Sequence, residues 1–95
     1  MLHTLINSPF KCDFSALLRM LNEGDDLLLL QDGVLAALEG SSALESLRKA
    51  SVSLFVLKED IQARGLSAQI SSTTATISYN DFVALTVKHP QQMTW

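Results

Sequence analysis

The single cysteine of this chain, Cys12, is the residue best suited to nucleophilic chemistry. It lies between a predicted strand and a predicted helix, where the helix N-terminus and neighbouring Lys11 could lower the thiol pKa. A thiolate there would permit persulfide or thioester chemistry. However, no histidine lies near Cys12 in the sequence, and free cysteines more often pack as small apolar side chains. We therefore expect a packing role and keep catalysis by Cys12 as the alternative.

The two histidines, His3 and His89, do not form a metal-ligand pattern with Cys12. A structural zinc site takes about four ligands in paired spacing, so we expect no metal site. His3 lies in a predicted strand, which favours a hydrogen-bonded residue of the interior or of an interface. His89 precedes Pro90 and is expected to end the last helix, where an imidazole interacts favourably with the helix dipole.

A carboxylate, Asp32, and the adjacent Gly33 follow a predicted buried strand. In an open parallel sheet, ligands bind at the carboxyl ends of the strands, so Asp32 could orient a partner group or a small ligand. The alternative, which we expect, is that Asp32 caps the next helix and Gly33 permits a tight turn. The other strand ends are Asn7–Pro9, Leu57–Asp60 and Ser78–Asn80. No phosphate-binding loop or dinucleotide motif is present, so no cofactor is expected.

The composition indicates a folded subunit of an oligomer that does not bind nucleic acid directly. Apolar residues make up 47% of the chain and charged residues 18%, with a mean hydropathy of +0.22. Disordered chains are poor in apolar residues, and a domain this small has too little interior for the apolar surplus. Part of that surplus is therefore expected in subunit interfaces. The net charge of −3 and the absence of a Lys/Arg cluster argue against contacts with phosphates.

The sequence also predicts a cytoplasmic protein with no membrane association. One cysteine cannot form an internal disulfide, which fits a reducing compartment. The start of the chain lacks a basic region and a long apolar stretch, so it does not resemble a signal peptide. The longest apolar runs, Leu27–Leu30 and Val34–Leu38, are far shorter than the ~20 residues that span a bilayer.

Capping and apolar patterns predict alternating strands and helices. The first helix is expected after Asp13, with one apolar face and Gly24 as its left-handed C-cap. A capping box at Ser42–Glu45 predicts a helix that continues through Ala50, and a capping box of Ser78 and Asp81 predicts one at Tyr79–His89. Two further helices are predicted at Val34–Leu38 and Glu59–Arg64. Strands are predicted at Leu2–Ile6, Leu27–Leu30, Val52–Leu57 and Ala75–Ser78, and Gln91–Trp95 is predicted to be a tail.

This order of elements is typical of a parallel sheet with helices on both faces. We expect a small three-layer α/β/α domain, residues 1–95, with a mostly parallel sheet of about four strands. The apolar residues of the last helix cover more than one face, so this helix is expected to contact a neighbouring subunit. Trp95 would either dock into a groove, such as one on another subunit, or belong to a packed or frayed tail.

Four segments, in order and spanning the chain, resemble the DsrH/TusB family: Leu2–Phe10, Leu28–Val34, Ala63–Leu66 and Tyr79–Pro90. The resemblance implies a DsrE-like fold and a subunit of the TusBCD complex, a heterohexamer that is a dimer of heterotrimers. Its partners would be TusC-like and TusD-like subunits. The complex would receive persulfide sulfur from TusA and pass it through TusE for 2-thiolation of the tRNA wobble uridine.

One departure from the family pattern bears on the cysteine. Some relatives carry a cysteine inside the first helix, whereas Phe14–Leu21 of this chain contains none and Cys12 lies ahead of that region. The resemblance places the persulfide-carrying cysteine of the complex in the TusD-like subunit. It therefore implies a non-catalytic scaffolding subunit here. The alternative is an active sulfurtransferase that carries a persulfide on Cys12.

Overall fold

A computed structural model describes all residues from Met1 to Trp95. The strands are β1 (Leu2–Leu5), β2 (Asp26–Leu29), β3 (Ser53–Leu57), β4 (Ala75–Ile77) and β5 (Gln92–Thr94). The α-helices are α1 (Phe14–Met20), α2 (Ser42–Arg48), α3 (Lys58–Ala63) and α4 (Tyr79–Lys88), and a 3-10 helix covers Gln31–Ala37. None of these helices has the length and apolar character needed to cross a membrane.

The strands form one sheet in the order β4-β3-β2-β1-β5, and every neighbouring pair is parallel. The predicted parallel sheet is confirmed, with five strands instead of about four. The additional strand, β5, lies in the segment predicted to be a tail. It pairs with the free edge of β1, and the Trp95 amide donates to the Thr4 carbonyl at 2.8 Å. Pairing with β1 supplies partners for backbone groups that would otherwise face water.

The larger hydrophobic core lies on one face of the sheet, which we call face 1. Leu27 and Leu29 of β2 point into it, as do Leu5 of β1 and Val56 of β3. Side chains of α1, the 3-10 helix, α2 and α3 complete this cluster of 11 buried residues. Successive residues of a strand point to opposite faces, so one run of leucines fills the core on both sides of β2.

The opposite face of the sheet, face 2, carries a smaller cluster. Leu2, Leu28 and Leu57 are its buried members. The helix that packs against them is α4, through Phe82 and Leu85, which are only partly buried. Helices therefore lie on both faces, which confirms the predicted three-layer arrangement. Face 2 is covered much less completely than face 1.

Two of the predicted helix caps are confirmed, and two others are wrong. The Asp13 carboxylate caps α1, and Ser78 forms the predicted capping box at the start of α4. However, α1 ends at Met20 with an extended residue after it, so Gly24 is not its C-cap. The capping box predicted at Ser42–Glu45 is also wrong.

The residue that caps α2 is Ser41, one position earlier than predicted. Its hydroxyl accepts a hydrogen bond from the Leu44 amide at 3.2 Å. Two consecutive serines offer two possible starts, and Ser41 has the extended backbone that an N-cap needs. The helix therefore begins at Ser42.

Gly33 is required for close packing instead of for a turn. It lies in the 3-10 helix, and a Cβ atom there would be 1.9 Å from the Leu5 carbonyl oxygen. We predicted a tight turn at Gly33, but the residue with a positive φ is Gln31, at 52°. The absence of a side chain at Gly33 lets the 3-10 helix lie directly against the end of β1.

We expect Gly33→Ala to destabilise the fold by about 3 kcal/mol, because the methyl group would overlap backbone that can move only with β1. Urea titration of the free energy of unfolding measures this loss. Gly40→Ala is the matched control, since its φ is 82° but no atom lies within 4 Å of the added Cβ. The control should lose only about 1 kcal/mol, from backbone strain alone. Equal losses in the two variants would contradict the packing role of Gly33.

Candidate functional site

Cys12 lies in the loop between β1 and α1, partly buried against the face 1 core. Burial raises the pKa of its thiol, and the nearby Asp13 carboxylate raises it further. The predicted lowering of this pKa is therefore wrong. A thiol with a raised pKa is protonated at neutral pH and is a weak nucleophile.

Neither histidine is available to activate Cys12. The Nε2 atom of His3 is bonded to Asp25, and the Nε2 atom of His89 is bonded to Asp26. Activation of a thiol requires a base within hydrogen-bond reach, and neither imidazole forms such a bond with Cys12. The surroundings of Cys12 are therefore those of a packed cysteine.

Asp32 is exposed at the carboxyl edge of the sheet, and it does not cap the 3-10 helix. Its carboxylate instead accepts a hydrogen bond from the Arg64 guanidinium at 3.0 Å. The cap is supplied from α3, because the Gln31 amide donates to the Asp60 carboxylate at 2.6 Å. Glu59, also on α3, accepts a hydrogen bond from the Tyr79 amide at 3.1 Å. The carboxylates at this edge thus join neighbouring loops and helices.

Of the predicted strand ends, one contributes Lys58 to a surface cleft, but the Asp32–Gly33 strand end belongs to neither of the two clefts. One cleft is lined by residues of α3 and of the segment 67–76, and the other lies beside α2 and β3. Cys12, Asp32 and Gly33 line neither cleft. The strand end at Asp32 therefore has no concave surface for a small ligand.

A carboxylate–imidazole pair at the amino end of the sheet was not anticipated from the sequence. Asp25 accepts hydrogen bonds from the Met1 ammonium at 3.0 Å, the Asn22 amide at 3.0 Å and His3 Nε2 at 3.1 Å. The other ring nitrogen of His3, Nδ1, accepts from the Trp95 indole N–H at 3.2 Å. An indole can only donate, so the proton of His3 lies on Nε2 and points to Asp25.

These contacts confirm His3 as a hydrogen-bonded interior residue and place Trp95. His3 has no exposed surface. Trp95 packs on the face 1 core of its own chain, and its carbonyl accepts from the Ile6 amide at 3.1 Å. Of the two alternatives for Trp95, the structure therefore shows the packed C-terminus.

A second carboxylate–imidazole pair ties the end of α4 to the sheet. Asp26 accepts hydrogen bonds from His89 Nε2 at 2.6 Å and from Lys88 Nζ at 3.2 Å. His89 is the C-cap residue of α4, and its amide donates to the Leu85 carbonyl. The predicted position of His89 at the helix end is confirmed. Its side chain, however, bonds to Asp26, a contact that the helix-dipole interpretation did not anticipate.

The two aspartates are held in the ionised form. Burial raises the pKa of each carboxyl, but the hydrogen bonds and positive charges around it outweigh burial. For Asp25 the opposing groups are the Asn22 amide, the Met1 ammonium and His3. Both carboxyls therefore have a pKa below the usual value. No buried side-chain nitrogen or oxygen of the molecule lacks a hydrogen-bond partner, so the buried polar atoms of this cluster are all paired within the chain.

The candidate functional surface is an apolar stripe on α4, made of Tyr79, Val83 and Val87. These residues are 58%, 44% and 81% exposed. Their spacing of four residues places them on one side of the helix. No residue of α4 is fully buried. A stripe of this kind favours packing against another protein, and we call it the α4 stripe.

Solved structures define the fold class. The crystal structure of the YchN protein from Escherichia coli is similar with a TM-score of 0.76 and 18% sequence identity, over 99% of this chain and 97% of that chain. The solution structure of protein Tm0979 from Thermotoga maritima is similar with a TM-score of 0.69 and 24% identity, over 96% and 97% of the two chains. The chain therefore has the small α/β fold of the DsrE-like proteins.

Sequence comparison then gives the family. The model of the DsrH-like proteins matches residues 7–92. Protein TusB of Erwinia tasmaniensis is 62% identical to this chain, and Protein TusB of Escherichia coli strain K12 is 61% identical, each over the full length of both chains. The chain belongs to the DsrH-like family, as its sequence motifs indicated.

We expect stability to depend on pH through the two ionised aspartates. A carboxyl whose pKa is lowered by folding stabilises the fold above its unfolded-state pKa, about 3.9, and loses that effect as the pH falls through the lower folded value. The free energy of unfolding in urea should therefore fall as the pH is lowered below about 4. Asp26→Asn should reduce this fall.

Glu23→Gln serves as the control for this series, because Glu23 is exposed and forms no ion pair. It should preserve the pH dependence of the unmodified chain. A pH dependence for Asp26→Asn equal to that of the control would show that Asp26 does not contribute.

Proposed function

We propose that this chain is a non-catalytic subunit of a sulfur-relay complex that supports 2-thiolation of the tRNA wobble uridine. Membership in the DsrH-like family and full-length similarity to proteins named TusB support the sulfur-relay assignment. The α4 stripe carries the proposal of an assembly role. Its partners would be TusC-like and TusD-like subunits, in a heterohexamer on which TusA and TusE act in the cytoplasm.

The α4 stripe supports this role because it combines apolar exposure with a fixed position. The helix starts in a complete capping box at Ser78 and ends in bonds from Lys88 and His89 to Asp26. A protein that covers the stripe would bury Val83 and Val87 without first ordering the helix. Burying one such side chain contributes about 1.5–3 kcal/mol.

The non-catalytic part of the proposal is supported by the state of Cys12. Its thiol has a raised pKa, and both histidines are bonded to aspartates. A sulfur carrier needs a thiolate that can attack a persulfide. The persulfide would therefore reside on a partner subunit. With a net charge of −3 and no basic cluster, the chain is also not expected to contact tRNA directly.

One observation favours the second candidate, a sulfurtransferase that carries a persulfide on Cys12. The cysteine is only partly buried, and it lies in a loop at the carboxyl edge of a parallel sheet. Ligands of such folds bind at that edge. A partner subunit could therefore reach the sulfur atom there.

We expect Val87→Asp to weaken co-purification with TusC-like and TusD-like subunits by about tenfold or more, because the carboxylate would lose its hydration in the interface. The stability of the isolated chain should be almost unchanged, since Val87 is 81% exposed. Ala84→Asp is the control, because it adds the same charge at an exposed position of α4 outside the stripe. Light scattering of the co-expressed subunits measures assembly. Normal assembly of Val87→Asp would contradict the proposed use of the stripe.

We expect Cys12→Ser to leave tRNA thiolation intact when the complex assembles normally. Mass spectrometry after incubation with a persulfide donor should show no adduct of ~32 Da, about one sulfur atom, on Cys12. A partner subunit should carry the adduct and serves as the positive control. An adduct on Cys12, together with lost thiolation by an assembled Cys12→Ser complex, would establish the sulfurtransferase alternative.

A further inference from the structure

The structure contains a surface cleft that is separate from the α4 stripe and from Cys12. Its cavity volume is about 310 Å³, and it lies between α3 and the segment that leads into β4. The lining includes Ile61 and Ile70, and all the other lining residues are polar. We propose that this cleft binds a small molecule through a phosphate or sulfate group, with Lys58, Gln62, Ser67, Ser72 and Thr76 as the binding residues.

The charge of the cleft favours an anion. Lys58 is the one charged residue of the lining, and no aspartate or glutamate belongs to it. Lys58 forms no ion pair within the chain. The next two residues of α3 are acidic, but Glu59 is bonded to the Tyr79 amide and Asp60 to the Gln31 amide. The ammonium group is thus free to pair with a ligand.

The polar groups around Lys58 are hydrogen-bond donors of the kind that oxyanions require. Ser67, Ser72 and Thr76 line the cleft, and their hydroxyls form no hydrogen bonds within the chain. The amide of Gln62 can donate as well. An ammonium and several uncharged donors around one cavity match the several oxygens of a phosphate or sulfate group.

The wall of the cleft is held in place before a ligand binds. Ser71 is buried, and its hydroxyl accepts hydrogen bonds from Arg48 at 3.3 Å and from the Thr73 amide at 3.2 Å. The Thr74 hydroxyl donates to the Ser71 carbonyl at 2.8 Å, and the Ser71 amide donates to Ala37. Small-molecule sites are usually preformed in this way. A volume of about 310 Å³ suits a ligand the size of a small phosphorylated metabolite.

The test is an amide-resonance titration of the full chain with ribose 5-phosphate, ribose and inorganic phosphate. Ribose 5-phosphate should cause saturable shifts at Lys58, Ser72 and Thr76, and inorganic phosphate should compete for the same residues. Ribose should cause none, because it lacks the anion. Lys58→Gln should weaken the binding of ribose 5-phosphate by about tenfold or more, as expected for a hydrogen bond from a charged donor.

Lys49→Gln is the matched control, since Lys49 is an exposed lysine that does not line the cleft. It should change the affinity by less than about twofold. Thr76→Val should weaken binding by about threefold to tenfold through loss of one hydroxyl. Equal weakening by Lys58→Gln and Lys49→Gln would show nonspecific attraction and overturn the site. Equal binding of ribose would overturn the anionic class of ligand, and the absence of saturable shifts with any probe would overturn the proposal itself.

Discussion

Two adjacent carboxylates at the start of β2 join the layers of this molecule. Asp25 bonds to His3, and His3 in turn accepts the indole N–H of Trp95. Asp26 bonds to His89 at the end of α4. Without Asp26, the Nε2 atom of His89 would lose its partner, and without Asp25, His3 would keep only the Trp95 indole. An uncharged polar group that is left buried and unpaired costs about 1–3 kcal/mol. The C-terminal strand and the last helix are distant from β2 in sequence, yet both are positioned by this pair.

Helices cover the two faces of the sheet to different extents. Face 1 is closed by three α-helices and the 3-10 helix, whereas α4 packs against face 2 through partly buried residues such as Phe82 and Leu85. Helix α4 has ten residues and none of them is fully buried, so packing against the sheet stabilises this helix only weakly. Its termini are instead secured by hydrogen bonds. Exposed apolar side chains therefore remain on α4, at Tyr79, Val83 and Val87.

Local signals predicted the elements well, and long-range contacts account for what was missed. The leucine run of β2 and the capping box at Ser78 act over a few residues, so they can be recognised in the sequence. Strand β5 depends on pairing with β1 across almost the whole chain, and its short polar sequence has no strand pattern. The cap at Gln31 comes from Asp60 on another helix, so a local interpretation assigned it to Asp32. The sequence did contain a signal for the Asp25–His3 pair. Two carboxylates precede a buried strand, and the chain has two histidines that could bond to them.

Most of the residues whose side chains could take part in chemistry form contacts within the chain instead. Both histidines hold aspartates, Asp32 pairs with Arg64, and the Cys12 thiol has a raised pKa. These side chains thus form contacts within the chain, whereas the α4 stripe is exposed. Because Asp26 fixes the end of α4 to the sheet, the α4 stripe of the proposed interface is already ordered in the isolated chain. Binding then costs little conformational entropy in this helix, which is the condition under which a modest apolar surface can support a stable interface.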